Sequence, residues 1–313
     1  MQLYKSRDFS EYFQDTFAFI KQNGRHLFKH FIIINGIPLM ILLVLGYFFS
    51  KFYGDIFSEG MLNGNNSAID SYINENSGGF SLLIITFVII AFLAGMIWYA
   101  FIPFYLKLYH EKNGINFSSS DIMNCYKTHL GKIFIFFICG LLLALPMLVG
   151  VSVLLLVLAI TIIGFLAMPM VIGALSLLYQ GALMEYIDDQ RGIWSSFIYS
   201  WKLMRSKFWA AIGCVGLFYL MSYVIQNVIA IIPYAFGMVS LFTEIETNTP
   251  ADGTAIQKTM TVMMLAIFLL TFFVSSLLNI ILQINQGVVY YSLKEDVENI
   301  NTKSAIDLIG SSE

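Results

Sequence analysis

The sequence predicts an all-α, polytopic membrane bundle of six transmembrane helices, with interfacial amphipathic helices between some of the spans. Three observations predict it. Hydrophobic residues make up 58% of the 313 positions and charged residues 12%, about half the charged share of a soluble domain. Apolar runs recur at or above the roughly 20 residues that cross a hydrocarbon core of about 30 Å. Finally, if those runs are spans, fifteen of the seventeen Lys and Arg residues fall on one side, Lys51 and Lys258 being the exceptions.

Residues 31–50 give the first span. Residues 80–106, longer and free of charge, give the second, with Trp98 and Tyr105 suited to an interface. Residues 133–184 carry no charge over 52 positions, too long for one helix and short of the roughly 60 that three would need. Two tilted helices, 133–158 and 162–186, with a turn near 161–164, fit this run. Residues 208–242 and 259–293 supply the fifth and sixth spans. Pro38, Pro103, Pro146, Pro169 and Pro233 place one proline in each of the first five, where each removes a backbone donor and bends its helix.

The basic residues number five in 1–30, four in 107–132, four in 191–207 and two in 294–303. With these segments inside, both termini are cytoplasmic and the chain is expected in a bacterial inner membrane, 1–30 as an interfacial helix and 294–313 as a tail. The first 30 residues contain no apolar h-region, so the first span is expected to direct insertion. Cys125, Cys139 and Cys214 lack metal-ligand spacing and read as packing residues. A net charge of −3 implies no nucleic-acid partner. Asn65-Asn66-Ser67 sits in a Gly/Asn-rich stretch that reads as a polar loop.

Three of the basic segments resemble one another. Phe9, Phe13, Phe17 and Ile20 precede Lys21, Arg25 and Lys29. Ile122 and Tyr126 precede Lys127 and Lys132. Trp194, Phe197, Ile198, Trp201 and Phe208 interleave with Lys202, Arg205 and Lys207. An offset of 75 maps Phe197, Trp201 and Lys207 onto Ile122, Tyr126 and Lys132. Each unit reads as an amphipathic helix followed by a transmembrane hairpin, giving three copies in all. Headgroup selection for aromatic and basic residues would give a similar look without a repeat.

Lys202, Arg205, Lys207, Lys127 and Lys132 are therefore candidate contacts for anionic lipid headgroups, or fix topology alone. Asn279, Gln283 and Gln286 share one face of the sixth span. They either hydrogen-bond between helices or line a polar cavity. His26 and His30 have a zinc-compatible spacing, yet no third ligand lies near them in sequence. Glu185, the only acid within a span, and the Asp188-Asp189 turn are the other starting points for a site, the turn reading as solvated. No catalytic, cofactor or metal site is nominated. The small residues Gly173, Gly181, Gly213 and Gly216 permit close helix approach.

Residues 182–217 run from an apolar helix through the acidic turn into Ser200-Trp201-x-Leu203, a basic pair, Phe208-Trp209 and Gly213. This resembles the membrane domain attached to glycerophosphodiester phosphodiesterases and its stand-alone bacterial relatives. The Asn-rich loop and Phe-rich start look like such proteins from Bacteroidota-type bacteria. The resemblance implies a six-helix module linked to lipid or membrane homeostasis, without the phosphodiesterase barrel. The expected role is non-catalytic: lipid handling, or a scaffold for a membrane-protein partner or homo-oligomer. A small-solute channel or facilitator, and a membrane-embedded lipid enzyme, are the alternatives.

Overall fold

The computed structural model describes the backbone of residues 1–57, 66–189, 191–247 and 253–301. Among them are seven helices and no strand: α1 (Phe9–Phe57), α2 (Asn66–Glu111), α3 (Ser119–Ala159), α4 (Ile162–Ile187), α5 (Ile193–Ser206), α6 (Phe208–Thr247) and α7 (Gly253–Glu298). All but the 14-residue α5 are long and apolar enough to cross a membrane. The chain is a multi-pass, all-helical membrane protein.

Local chemistry sets the helix starts. The Glu11 N–H donates to Asp8 Oδ1 (2.8 Å) and the Asp8 N–H to Glu11 Oε2 (3.1 Å), a reciprocal cap that opens α1. At α3, Asp121 Oδ2 accepts from the Ser118 N–H (2.7 Å) and from its hydroxyl (2.8 Å). The 52-residue apolar run breaks at Ile160–Thr161, where Thr161 Oγ1 accepts from the Gly164 N–H at 2.9 Å and caps α4. Pro38, Pro103, Pro146, Pro169 and Pro233 lie inside α1, α2, α3, α4 and α6.

The helices run further than the sequence periods imply. α1 continues for 49 residues, so the segment expected as a separate interfacial helix is the opening of a longer one. The second basic segment likewise continues into α3. Only α5 stands apart, breaking from α6 at Lys207 (φ −134°, ψ 52°). No Pro or Gly marks that break. α7 extends to Glu298, so Lys294 is a helical residue and not part of a tail. The Asn65-Asn66-Ser67 tripeptide and the segment 302–313 lie outside the described side chains.

The chain divides into two compact units. The first comprises Met1–Ile34, Met96–Ser222 and Leu278–Glu313. Its α1 core stripe is Tyr12, Thr16, Phe19, Asn23 and Leu27, while Phe9 and Phe17 of the expected stripe are exposed. The polar members face inward because they are satisfied there. Thr16 donates to the Tyr12 carbonyl (2.7 Å) and accepts from Asn285 (3.0 Å), and Asn23 donates to the Phe19 carbonyl (3.2 Å). α4 and α6 cross backbone to backbone: a Cβ on Gly173 would lie 2.9 Å from Gly216 N, and one on Gly216 2.8 Å from Met170 Cα.

The second unit comprises Asn35–Gly95 and Tyr223–Leu277. Phe268 fills the place of a Cβ on Gly46, and Met263 that of one on Gly237. Met260 and Met263 form a small core with Met264 and Ile267. Phe52 stacks on Phe80 at 4.0 Å, and Ser275 donates to Gln226 at 2.7 Å.

The crossing at Gly173 and Gly216 yields a stability prediction. Gly216→Ala must push backbone aside and is expected to cost about 1–3 kcal/mol. Gly150, whose Cβ would meet nothing within 4 Å, is the control. Gly150→Ala is expected to raise stability by roughly 0.5–1 kcal/mol. Thermal unfolding in one detergent reads both, and equal midpoints for the two variants would contradict the close crossing.

Candidate functional site

A carboxylate near the end of an apolar helix has to be paired to be buried. Glu185, in the last turn of α4, is 1% exposed. Its Oε2 accepts from the Tyr290 hydroxyl (2.7 Å) and Lys294 Nζ (2.8 Å), and its Oε1 from Arg191 Nε (2.9 Å). Tyr290 and Lys294 are four apart on α7, hence on one face. Lys294 is itself 4% exposed and lies 3.9 Å from Asp188 Oδ2. Lys107, near the end of α2, donates to the Ile187 carbonyl (3.1 Å) and stands 3.6 Å from Asp188 Oδ1. Arg191 stacks 3.9 Å from the Tyr199 ring centroid, and the Tyr199 hydroxyl donates to Glu298.

Lys107, Glu185, Asp188, Arg191, Lys294 and Glu298 line a cavity of about 350 Å³ together with Tyr4, His110, Glu111 and Tyr291. Tyr4 reaches it from the segment that precedes α1. Arg7, 1% exposed, holds this segment in shape by donating to the carbonyls of Gln2 (2.6 Å), Leu3 (2.7 Å) and Lys5 (3.0 Å) and to Asp15 (2.7 Å). Tyr4 then packs edge-on against His110 and Tyr291, both at 4.9 Å. Asn301 donates to the Tyr4 carbonyl.

Burial pushes the Asp188 carboxyl above the usual carboxylate range, with Lys294 and Lys107 opposing the shift. Burial also holds the Tyr4 and Tyr199 phenols well above their ordinary value. The cavity thus combines lysine, arginine and carboxylate groups that mostly neutralise one another.

The five candidate lysine and arginine contacts separate into two classes. Lys127, Lys202 and Arg205 are exposed, and no ion pair engages them among the described residues. Lys132 pairs with Asp189, and Lys207 with Asp296 at 2.8 Å. Lys207 also donates to Ser6 Oγ (3.1 Å) and the Arg7 carbonyl (3.0 Å). In each pair a lysine at the start of a hairpin's first span meets an acid at the end of its second. Lys132 and Lys207 are the two that the offset of 75 equates. Asp189 is exposed, as a solvated turn implies, but Asp188 is half-buried in the cavity wall.

The α5 stripe also divides. Phe197 faces inward, stacked on Phe136 at 5.4 Å, whereas Trp194, Ile198 and Trp201 are 51%, 71% and 45% exposed. Asn279 is exposed and accepts from Gln283 (2.5 Å). Gln283 and Gln286 are buried, and Gln286 donates to Ser176 of α4 (2.7 Å), which also accepts from Tyr219 (2.7 Å). Between Ser176 and Glu185, Gln180 is fully buried, with no protein partner for either amide atom among the described residues. His26 bonds to the Tyr105 hydroxyl (2.9 Å) and the Phe117 carbonyl (3.1 Å), and His30 to Ser119 (2.5 Å). The sequence reading missed Tyr290, Lys294, Arg191 and Tyr4. The one available signal was that an acid and a lysine each end a long apolar run.

Comparison of the chain with protein-family models, curated proteins and solved structures gives no match.

The two carboxylates should respond oppositely to neutralisation. Glu185→Gln leaves Lys294 and Arg191 without their main counter-charge and is expected to cost about 3–5 kcal/mol. Asp188 carries a raised carboxyl, so folding favours its protonated form. Its contribution to stability is present in full below the unfolded value of about 3.9 and is lost as pH rises through the folded value. Asp188→Asn should therefore match or exceed the parent midpoint at neutral pH, and that relative advantage should shrink as pH falls. Thermal unfolding across this range checks both; a collapse of Asp188→Asn at neutral pH would refute the assignment.

Proposed function

We propose that this chain is a bacterial inner-membrane protein, with both termini cytoplasmic, that holds anionic lipid at its inner face in a non-catalytic lipid-handling role. The observation that carries the reading is the outward face of α5. Trp194, Ile198, Trp201, Lys202 and Arg205 recur at helical spacing and are all exposed. Indole and aliphatic groups flanked by cations are the composition that lies in a headgroup layer. Lys127 has the same setting on α3, where Met123 and Leu130 are exposed beside it. The resemblance of 182–217 to a membrane domain of lipid-linked enzymes points the same way. Glu185, saturated by three donors, is poorly placed to act as a base, which favours a non-catalytic role.

The test uses the whole protein in nanodiscs of equal parts phosphatidylcholine and phosphatidylglycerol. Each exposed cation contributes about 1 kcal/mol to anionic lipid, about fivefold. Lys127→Gln, Lys202→Gln and Arg205→Gln combined should sharply lower the retained phosphatidylglycerol without changing the thermal midpoint. Lys132→Gln and Lys207→Gln, which break ion pairs, should lower the midpoint instead. Unchanged retention in the triple variant would sink the reading.

A second reading, a facilitator for a small polar solute, draws on Gln180. Buried polar atoms lacking protein partners recruit water. Gln283 Oε1, Gln286 Oε1 and both Gln180 amide atoms are such groups, on α4 and α7 short of Glu185. Solute flux into liposomes should exceed that of empty vesicles and fall with Gln180→Leu. Equal leak with and without protein would dispose of it.

A further inference from the structure

We infer that the groove between α6 and α7 is a binding site for one acidic phospholipid, its phosphate at Lys258 and an acyl chain along the helices toward Phe273. The inference deepens the lipid-handling reading and rests on it, but uses different residues in the other compact unit.

The groove encloses about 830 Å³, within the range of small-molecule sites. Its lining is sorted along its length. Lys258, Thr259 and Ser240 stand at one end, and Ile232, Leu269 and Phe273 at the other. The two helices run antiparallel there, with Gly237 against Met263, so the polar residues of both helices meet at the same end. From Lys258 to Phe273 is fifteen residues, about 22 Å of helix. That is the depth of one leaflet with its headgroup layer, half of a bilayer of about 40–45 Å.

Charge commits the occupant. Lys258 is one of two basic residues outside the basic segments. It is exposed, and no carboxylate pairs with it among the described residues. A cation at the mouth of an apolar, leaflet-deep groove matches an anionic head on an acyl chain. Phe236, Val262 and Phe273 are 74%, 58% and 63% exposed, so the walls present apolar surface to a chain and do not collapse on each other.

Native mass spectrometry of the whole protein from nanodiscs of equal parts phosphatidylcholine and phosphatidylglycerol tests this. The parent should retain one phosphatidylglycerol after the remaining lipid is stripped. Lys258→Gln should weaken that retention about fivefold, and Lys258→Arg should keep it. Ala266→Trp, at an exposed lining position, should abolish it by filling the groove. The α5 and α3 variants that remove Lys127, Lys202 and Arg205 should leave this single lipid in place, so the two readings fail separately. Equal retention of phosphatidylcholine, or retention unaffected by both Lys258→Gln and Ala266→Trp, would overturn the inference. A dimer that Ala266→Trp dissociates would overturn it in favour of a second copy of the chain in the groove.

Discussion

The structure of the first unit depends on one constraint, the pairing of Glu185. A lone carboxylate at the end of an apolar helix cannot be left without donors once it is out of water. Tyr290, Lys294 and Arg191 supply them from α7 and from the start of the segment leading into α5. That single carboxylate therefore fixes the register of α4 against α7 and the direction in which the chain leaves α4. Gly181 fits the same arrangement: a Cβ there would lie 2.5 Å from Ser200 Oγ and 3.4 Å from the Tyr290 ring. The close approach of α4, α5 and α7 and the burial of the charge require each other.

The outer members of the network extend the constraint. Lys207 ties the break between α5 and α6 to Asp296 and to the Arg7 carbonyl, which joins the start of the chain to the end of α7. The Lys132–Asp189 pair does the equivalent for α3 and α4. Both pairs link the start of a hairpin's first span to the end of its second, and the two lysines are equated by sequence offset, but that offset does not equate Asp189 with Asp296. α1 is tied by side-chain hydrogen bonds instead, His26 to Tyr105 and His30 to Ser119.

What was legible in the sequence follows from what kind of force acts. Six spans and the all-helical class rest on hydropathy over tens of residues, which no tertiary detail overrides. The turn near Thr161 was readable because a charge-free run had the wrong length for one or three helices. Helix faces were harder. In α1 an aromatic stripe of Phe9, Phe13 and Phe17 looks like a core, but Thr16 and Asn23 face inward because backbone carbonyls one turn back accept from them. In α5 both faces are apolar, so composition could not say that Phe197 packs while Trp194, Ile198 and Trp201 remain outside. The charged cavity was illegible because its members come from four separated stretches of sequence, around Tyr4, Lys107, Glu185 and Lys294. Lys294 counted only toward topology, although it is nearly buried.

Burial also separates two uses of positive charge that the topology rule treats alike. Arg7, Lys294, Lys132 and Lys207 meet carboxylates and hold helix ends together. Lys127, Lys202 and Arg205 project from helix surfaces that also expose Met123, Leu130, Trp194, Ile198 and Trp201. A cation that only set orientation during insertion would need no apolar neighbours. A cation that meets a lipid phosphate needs them, because the adjoining surface must be covered by the same lipid's glycerol and chains. Lys258 obeys the same rule at the other end of α7, with a groove in place of a flat face. The exposed basic residues beside apolar surface, and not the total of basic residues, are therefore the feature on which the proposed lipid contact rests.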